Sequence, residues 1–160
     1  MEGLEKVVGY LRERGIEVKT LVSDQSTHDS TSASKVFGIK LSQIAKAIVF
    51  DAVGKAILVL ISGDRNVNVN RLREVVGVKK VKLAKPEFVL SNTGFVVGAV
   101  PPVAHSKPVK IYVDKSLFRN QIVYPAGGTT NSLFEIELEK LLNFINGEIV
   151  DIGQPMKSGV

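Results

Sequence analysis

Residues 94–105 combine a short apolar, β-rich run with two glycines, two prolines and a terminal histidine, which predicts a stiff loop after a short strand. Gly98 has no side chain, so a ligand can approach its backbone closely, and Pro101 and Pro102 stiffen the chain that follows. His105 ends the segment, and an imidazole can transfer protons near neutral pH. The pattern indicates a loop that binds through its backbone beside a possible proton carrier. A histidine exposed on a surface loop is the competing interpretation of His105.

Lys46 is a second candidate for chemistry because it stands at the start of an apolar run, residues 47–50. An ammonium held at the end of a strand supplies positive charge and hydrogen-bond donors where a carbonyl oxygen becomes an oxyanion. The same group could bind a phosphate. A lysine at a strand end is also commonly a solvated surface group, so the residue type alone leaves these alternatives open.

Two polar loops add candidate binding residues. Residues 125–132 are rich in glycine and hydroxyl groups, which could bind a substrate amino group or an RNA backbone but also commonly satisfy turns. The other loop precedes a helix, where a histidine could cap the helix, face solvent or fold over the site. The candidates in these loops are Gly127, Gly128, Thr129, Thr130, Asn131 and His28.

Several classes of chemistry are disfavoured by what the sequence lacks. There is no cysteine, which excludes disulfides, thiolate metal sites and a cysteine nucleophile, and two histidines are too few for a histidine-rich metal centre. No Gly-x-Ser-x-Gly elbow and no Gly-x-x-x-x-Gly-Lys-Ser/Thr loop occurs, which argues against a serine hydrolase and a nucleotide hydrolase. We therefore expect neither metal catalysis nor nucleotide hydrolysis.

Length and composition predict one domain over residues 1–160, since 44% hydrophobic residues suffice for a single core. No leader and no apolar run near the roughly 20 residues of a membrane helix is present, so we expect a soluble, cytoplasmic protein without membrane contact. The net charge of +5 favours a polyanionic partner or simply reflects a lysine-rich surface. The basic residues that gather in one segment are Arg65, Arg71, Arg73, Lys79, Lys80, Lys82 and Lys85.

Hydrophobic spacing predicts the elements that position these residues. Residues 4–11 repeat at helical spacing, and residues 47–50 and 56–61 form a predicted hairpin that starts at Lys46. A short strand is expected at residues 94–98, stopped by the prolines, and a mobile tail is expected after about residue 147. Short helices between strands predict an α+β fold with a mixed, largely antiparallel sheet.

Four segments together resemble a known family: residues 32–38, residues 43–50 with Lys46, the Gly63-Asp64 turn and residues 94–102. They are similar to the editing domains of YbaK proteins and of bacterial prolyl-tRNA synthetases, over about residues 4–142. The resemblance implies a YbaK-like fold. It also implies hydrolysis of amino acids wrongly attached to tRNA, chiefly tRNA(Pro), without metal or nucleotide cofactor.

The resemblance also implies roles for individual residues. Lys46 matches the lysine that such domains need, Gly98 and Pro102 match their Gly-x-x-x-Pro loop, and Gly127 matches the glycine loop opposite. Lys46 and Gly98 are therefore the predicted catalytic residues. The predicted substrate-binding residues are Pro101, Pro102, His105, Gly127, Gly128, Thr129, Thr130, Asn131 and His28.

The expected activity is trans-editing of Cys-tRNA(Pro) or Ala-tRNA(Pro), with the aminoacylated acceptor end of tRNA as partner and a prolyl-tRNA synthetase as a further candidate partner. Two departures concern the pocket: Thr129, Thr130 and Asn131 stand where many relatives have basic residues, and Val103-Ala104 follows Pro102 where Phe-Gly is common. A non-catalytic module that binds tRNA or a synthetase is the alternative, and a regulator that binds a free amino acid is a third possibility.

Overall fold

A mixed β-sheet with helices on both faces forms the framework of the chain. The computed structural model describes residues 2–27 and 29–156, so the candidate His28 lies outside the described residues. The helices are α1 (Glu2–Glu13), α2 (Ser30–Phe37), α3 (Val69–Val76), α4 (Pro86–Thr93) and α5 (Leu138–Phe144). The strands are β1 (Lys19–Val22), β2 (Ile44–Ala52), β3 (Lys55–Ser62), β4 (Arg65–Val67), β5 (Lys82–Leu83), β6 (Lys110–Asp114), β7 (Ile122–Pro125), β8 (Ser132–Glu137), β9 (Gly147–Val150) and β10 (Gly153–Pro155).

The large sheet has the strand order β1-β8-β7-β2-β3-β6-β9, and β5 also pairs with β2. Four of its pairs are antiparallel: β1 with β8, β7 with β8, β2 with β3, and β2 with β5. The pairs of β2 with β7, β3 with β6, and β6 with β9 are parallel. The expected α+β fold with a mixed, largely antiparallel sheet is confirmed.

The hairpin of β2 and β3 forms the centre of this sheet, as the apolar runs predict. Its two-residue turn places Val53 at φ 51° and Gly54 at φ 86°, the left-handed pair that suits the twist of a tight hairpin. Asp51 supports the turn because its Oδ1 accepts the N–H of Gly54 at 2.7 Å. The register of the hairpin, and with it the position of Lys46, is therefore fixed at the turn.

Each face of the sheet has its own apolar core. On one face, helices α1, α4 and α5 pack on Leu58 and Leu60 of β3. On the other face, α3 packs on Val59 and Ile61, the alternate residues of the same strand. This alternation explains why the sequence of β3 is continuously apolar: it is covered on both faces. None of the helices in the described part of the chain is long and apolar enough to cross a membrane.

Two expectations from the sequence differ from the structure. Residues 94–98 do not form a strand, because α4 extends to Thr93 and a turn follows in which the Ala99 N–H donates to the Val96 carbonyl at 3.0 Å. Residues 147–155 are not a mobile tail, because β9 pairs with β6 and β10 pairs with β4. Residues 157–160 of the expected tail lie outside the described residues. Asp114 secures this end: its Oδ1 accepts the N–H groups of Ile152 and Gly153.

Candidate active site

A gap along one edge of β2 opens a cavity of about 370 Å³. On the side of β2 away from β3, β7 pairs only with Ile44 and Ala45, and β5 pairs only with Phe50 and Asp51. Residues 46–48 between these pairings are partly exposed, whereas Ala45 and Val49 beside them are buried. The cavity therefore reaches around the uncovered edge of the strand and is lined by side chains from both faces of the sheet.

Lys46 enters this cavity from the face of the sheet that carries Ile61. Burial lowers the pKa of its ammonium, and the negative charge of Asp64 partly opposes that shift. Within the described residues, the ammonium makes no hydrogen bond and no ion pair shorter than 4.0 Å. A partly buried cation without a partner is available to an anionic or strongly polar ligand atom.

The turn at residues 96–99 approaches the same cavity from the other face of the sheet. Val97 and Gly98 line it, and Val100 behind them is buried in the core with Val49. Gly98 has φ 87°, a conformation that a residue with a side chain adopts only at a cost. The structure therefore brings Lys46 and Gly98 to one cavity, although their roles in catalysis remain predictions.

The start of α2 forms a polar wall that the sequence did not single out as part of the site. Thr27, Asp29, Ser30 and Thr31 line the cavity, and Ala33 lies below them. Asp29 caps the helix because its Oδ1 accepts the Ser32 N–H at 2.7 Å. The run of hydroxyl residues in the sequence was a usable signal, but it is equally typical of a helix N-terminus without a binding role.

Part of the mouth of the cavity is apolar. Leu83, Val97 and Met156 line it and leave 66%, 55% and 39% of their surfaces exposed. Leu83 belongs to β5 and Met156 follows β10, so both strands contribute to the entrance. Nothing in the local sequence pattern places these side chains together.

The loop at residues 126–131 contributes mainly as a support. Ala126 lines the cavity, whereas Gly127, Gly128, Thr129, Thr130 and Asn131 lie outside its lining. The Thr130 carbonyl accepts the Thr27 N–H at 2.7 Å, and the Asn131 carbonyl accepts the Ser23 N–H at 2.9 Å. This loop therefore holds the segment that carries Thr27 into the cavity.

Pro101, Pro102 and His105 also lie behind the cavity wall. Both prolines are buried, and His105 Nε2 donates to the Pro101 carbonyl at 2.7 Å. Burial lowers the pKa of His105, and the charge of Lys6 lowers it further, while the bond to Pro101 opposes both. Within residues 2–27 and 29–156, no group of His, Asp or Glu side chains is arranged to hold a metal ion.

Comparison with known proteins identifies the family. The model of the aminoacyl-tRNA editing domain matches residues 24–144, which is more than half of the chain. The chain belongs to the aminoacyl-tRNA editing domain family. Its family-level activity is therefore aminoacyl-tRNA deacylation, and the expectation of an editing enzyme is confirmed at that level.

Individual relatives agree with this assignment. The editing domain is 33% identical to the uncharacterized protein YwhH of Bacillus subtilis over 77% of this chain and 80% of that protein. It is 26% identical to the multifunctional Ser/Thr-tRNA deacylase ProXp-y of Escherichia coli K12 over 77% of each chain. A solved structure of a candidate trans-editing enzyme for prolyl tRNA synthetase superimposes with a TM-score of 0.89 at 32% identity, covering 96% of this chain and 98% of that one.

Proposed function

We propose that the editing domain hydrolyses mischarged aminoacyl-tRNA in trans, with Cys-tRNA(Pro) or Ala-tRNA(Pro) as its substrate. One observation carries the proposal: the Lys46 ammonium lines the cavity without a partner among the described residues, and Gly98 lines the same cavity from the opposite face of the sheet. A cation and an accessible backbone on two sides of one cavity suit an ester whose carbonyl oxygen gains negative charge.

The reaction is the addition of water to the ester carbonyl, followed by cleavage of the bond to the ribose oxygen. The amino acid leaves as a carboxylic acid that ionises, and the ribose oxygen takes a proton. In this scheme Lys46 stabilises the oxyanion through its charge, and backbone N–H groups near Gly98 are further donors. With a cysteinyl substrate, its own thiol could replace water as the attacking group, and the released product would then be a cyclic thioester.

In this proposal, the apolar lining of the site selects a small amino acid. A cavity of about 370 Å³ must take the ester, part of the terminal ribose and the amino acid side chain. Side chains of Ala33, Ile44 and Leu133 form its apolar lining. A packed wall rejects an oversized or misshapen side chain more strongly than it rejects a smaller one, so the proposal requires this lining to exclude the ring of the cognate proline.

Seryl- or threonyl-tRNA is a second candidate substrate, favoured by the start of α2. Ser30 and Thr31 line the cavity, and neither hydroxyl has a hydrogen-bond partner among the described residues. These hydroxyls could bind the hydroxyl of a substrate side chain. The similarity to a Ser/Thr-tRNA deacylase supports including both amino acids in any test.

The tRNA partner is supported by the charge beside the entrance. Lys79, Lys80, Lys82 and Lys85 are exposed, and Lys82 and Lys85 flank Leu83 and Ala84 of the cavity wall. Phosphates of an acceptor stem would bind such a lysine cluster with an affinity that falls as salt is added. Binding that is insensitive to salt would contradict this placement.

The test measures release of labelled amino acid from tRNA(Pro) charged with alanine or cysteine, and from tRNAs charged with serine or threonine. We expect wild-type turnover of at least one small aminoacyl group and a loss of roughly 100-fold or more in Lys46→Ala, the size typical for removing an oxyanion-stabilising donor. Lys55→Ala is the matched control because Lys55 is an exposed lysine near the distant turn of the same hairpin.

Four results would contradict the proposal in different ways. Full activity of Lys46→Ala would remove Lys46 from the mechanism. Binding of charged tRNA without turnover would favour a non-catalytic module, and binding of free alanine, cysteine or proline without any tRNA effect would favour a regulator. Turnover of only Ser-tRNA or Thr-tRNA would replace the proposed substrate with the second candidate.

A further inference from the structure

The peptide edge of Ala47 faces the cavity rather than a neighbouring strand. In an antiparallel ladder, the N–H and C=O of alternate residues point to the same partner strand. The Gly63 N–H donates to the Ile44 carbonyl at 2.8 Å. The backbone N–H and C=O groups of Ile44, Lys46 and Ile48 therefore point toward β3. Ala45, Ala47 and Val49 therefore direct their backbone groups to the opposite edge.

Protein partners are present on both sides of Ala47 along this edge but not at Ala47 itself. Ala45 pairs with Pro125 of β7, and the Val49 carbonyl accepts the Ala84 N–H at 3.1 Å. Within residues 2–27 and 29–156, no strand or turn provides a partner for the backbone N–H and C=O of Ala47 on this side. The backbone groups of Ala47 are thus unpaired between the paired groups of Ala45 and Val49. The gap that this leaves along the edge of β2 is about the size of a single amino acid.

We propose that Ala47 binds the main-chain atoms of the aminoacyl group, as if that group were one residue of a neighbouring antiparallel strand. The Ala47 carbonyl accepts a hydrogen bond from the substrate's α-ammonium, and the Ala47 N–H donates to its acyl oxygen. The inference rests on the proposed function, since it assigns a contact within the same site. The ligand class is an α-aminoacyl ester.

The position of the edge supports this assignment. Lys46 lies on one face of β2 and the Gly98 turn on the other, so the edge of Ala47 lies between the two groups expected to act on the ester. An α-ammonium and an acyl oxygen are common to every aminoacyl group. The contact therefore orients the ester whichever side chain is attached, and leaves selection of the amino acid to the cavity walls.

The test removes the Ala47 N–H without changing the shape of the residue. L-Lactic acid in place of Ala47 converts that peptide bond into an ester, which retains the carbonyl and loses the N–H. The ligand is 3′-(L-alanylamino)-3′-deoxyadenosine, which has an amide in place of the scissile ester. L-Lactic acid in place of Ala52 is the matched control, because Ala52 lies in the same strand with its N–H on the side of β3 and outside the cavity.

We expect the dissociation constant of this analogue to rise roughly tenfold with the ester at position 47, the effect of losing one hydrogen bond, and to stay within about twofold with the ester at position 52. A second arm uses the wild-type protein and the corresponding L-lactyl analogue, in which a hydroxyl replaces the α-ammonium. We expect it to bind roughly tenfold more weakly than the alanyl analogue, because a charged donor is lost.

Unchanged binding in the ester variant at position 47, with an intact circular dichroism spectrum, would overturn the contact to the acyl oxygen. Equal binding of the two analogues by the wild type would overturn the contact to the α-ammonium, even if the ester variant does not fold. Hydrolysis of Ala-tRNA(Pro) by the wild type is measured in parallel. Hydrolysis with unchanged analogue binding overturns only the role of Ala47, whereas a wild type that neither binds nor hydrolyses overturns the proposed function as well.

Discussion

Arg119 holds Asp64 through both oxygens of the carboxylate: Nη1 donates to Oδ2 at 2.9 Å and Nη2 donates to Oδ1 at 2.5 Å. The Ser62 hydroxyl donates to Oδ1 as well, at 2.9 Å. The bond to Arg119 is the main cause that lowers the pKa of Asp64, so the carboxylate is ionised at neutral pH. Burial lowers the pKa of Lys46, and the charge of Asp64 partly opposes that shift without an ion pair between the two groups. Arg119 thus fixes Asp64 as a counter-charge and leaves the Lys46 ammonium available.

Replacing Arg119 should lower activity through Lys46. In Arg119→Ala, both oxygens of Asp64 lose their main donor, and the freed carboxylate can pair with the Lys46 ammonium, on which its charge already acts. We expect kcat/KM for the active aminoacyl-tRNA to fall roughly tenfold, the effect of about 1.4 kcal/mol. Arg12→Ala should have no such effect, because the Arg12–Glu17 pair is a solvent-exposed contact on another part of the chain.

The double variant Arg119→Ala/Asp64→Asn separates this mechanism from a loss of fold. If a freed Asp64 carboxylate inhibits Lys46, removing its charge should restore activity toward that of Asp64→Asn alone. Such recovery means that the effects of the two substitutions on activity do not add, which is expected when Arg119 and Asp64 both act on Lys46. Equal activity of the double variant and Arg119→Ala would contradict the mechanism.

The alkaline limit of activity should report on Lys46. Burial lowers the pKa of this lysine, and the charge of Asp64 partly opposes the shift. As the pH rises, the Lys46 ammonium therefore loses its proton at a lower pH than an ordinary lysine does. Asp64→Asn removes the charge that opposes the effect of burial. We therefore expect the alkaline limb of kcat/KM to move to lower pH, after subtraction of uncatalysed ester hydrolysis. The limb should stay in place in Asp151→Asn, whose carboxylate is exposed at the surface.

Gly98→Ala should reduce activity more than stability. A side chain at φ 87° costs about 1–2 kcal/mol of backbone strain, and here it would also enter the edge of the cavity. Gly77→Ala is the matched control because Gly77 has φ 78° with open space around its added Cβ. The two variants should lose similar thermal stability, while only Gly98→Ala should lower kcat/KM. Equal values of kcat/KM for Gly98→Ala and Gly77→Ala would exclude a close approach of the substrate to Gly98.

Much of the framework was predictable because its signals are local. Leu4, Val7 and Leu11 repeat at helical spacing, and they are the buried residues of α1. The two apolar runs beside Asp51 and Gly54 predicted the hairpin that carries Lys46. The gap in the edge of β2 was not predictable, because it depends on where two separate strands, β5 and β7, stop pairing with β2. No local pattern encodes that register.

The same residue types can be required by packing as well as by binding, so the substrate-binding roles of the glycine loop stay predictions. Gly128 lies against the first helix, where an added Cβ would come within 2.4 Å of the Gly3 carbonyl oxygen. Its glycine thus permits a close approach between two parts of the chain, outside the lining of the cavity. The strand expected at residues 94–98 is absent from the described structure because no neighbouring strand pairs with this segment. Of its apolar residues, Phe95 is buried, whereas Val96 and Val97 are exposed.

Ala104→Gly should stabilise the segment that supports the Gly98 turn. Ala104 has φ 67°, and relief of that strain should contribute up to about 1 kcal/mol, partly offset by the entropy of glycine in the unfolded chain. Ala99→Gly is the matched control, since Ala99 is buried in the same segment without a positive φ. Thermal unfolding should show a higher midpoint for Ala104→Gly and a lower one for Ala99→Gly. A lower midpoint in both would mean that the Ala104 side chain contributes more by packing than its backbone costs.

His105 should act as a positioning residue and not as a proton carrier. Its Nε2–H donates to the Pro101 carbonyl, and its lowered pKa, caused first by burial, keeps the ring neutral at neutral pH. Glutamine can donate a similar bond, so we expect His105→Gln to keep most of kcat/KM and His105→Ala to lose several-fold, with a lower unfolding midpoint. Because both forms of the ring can donate from Nε2, the acid side of the pH profile should be the same in wild type and His105→Gln. A large loss in His105→Gln, together with the disappearance of an acid limb, would instead assign His105 a proton-transfer role.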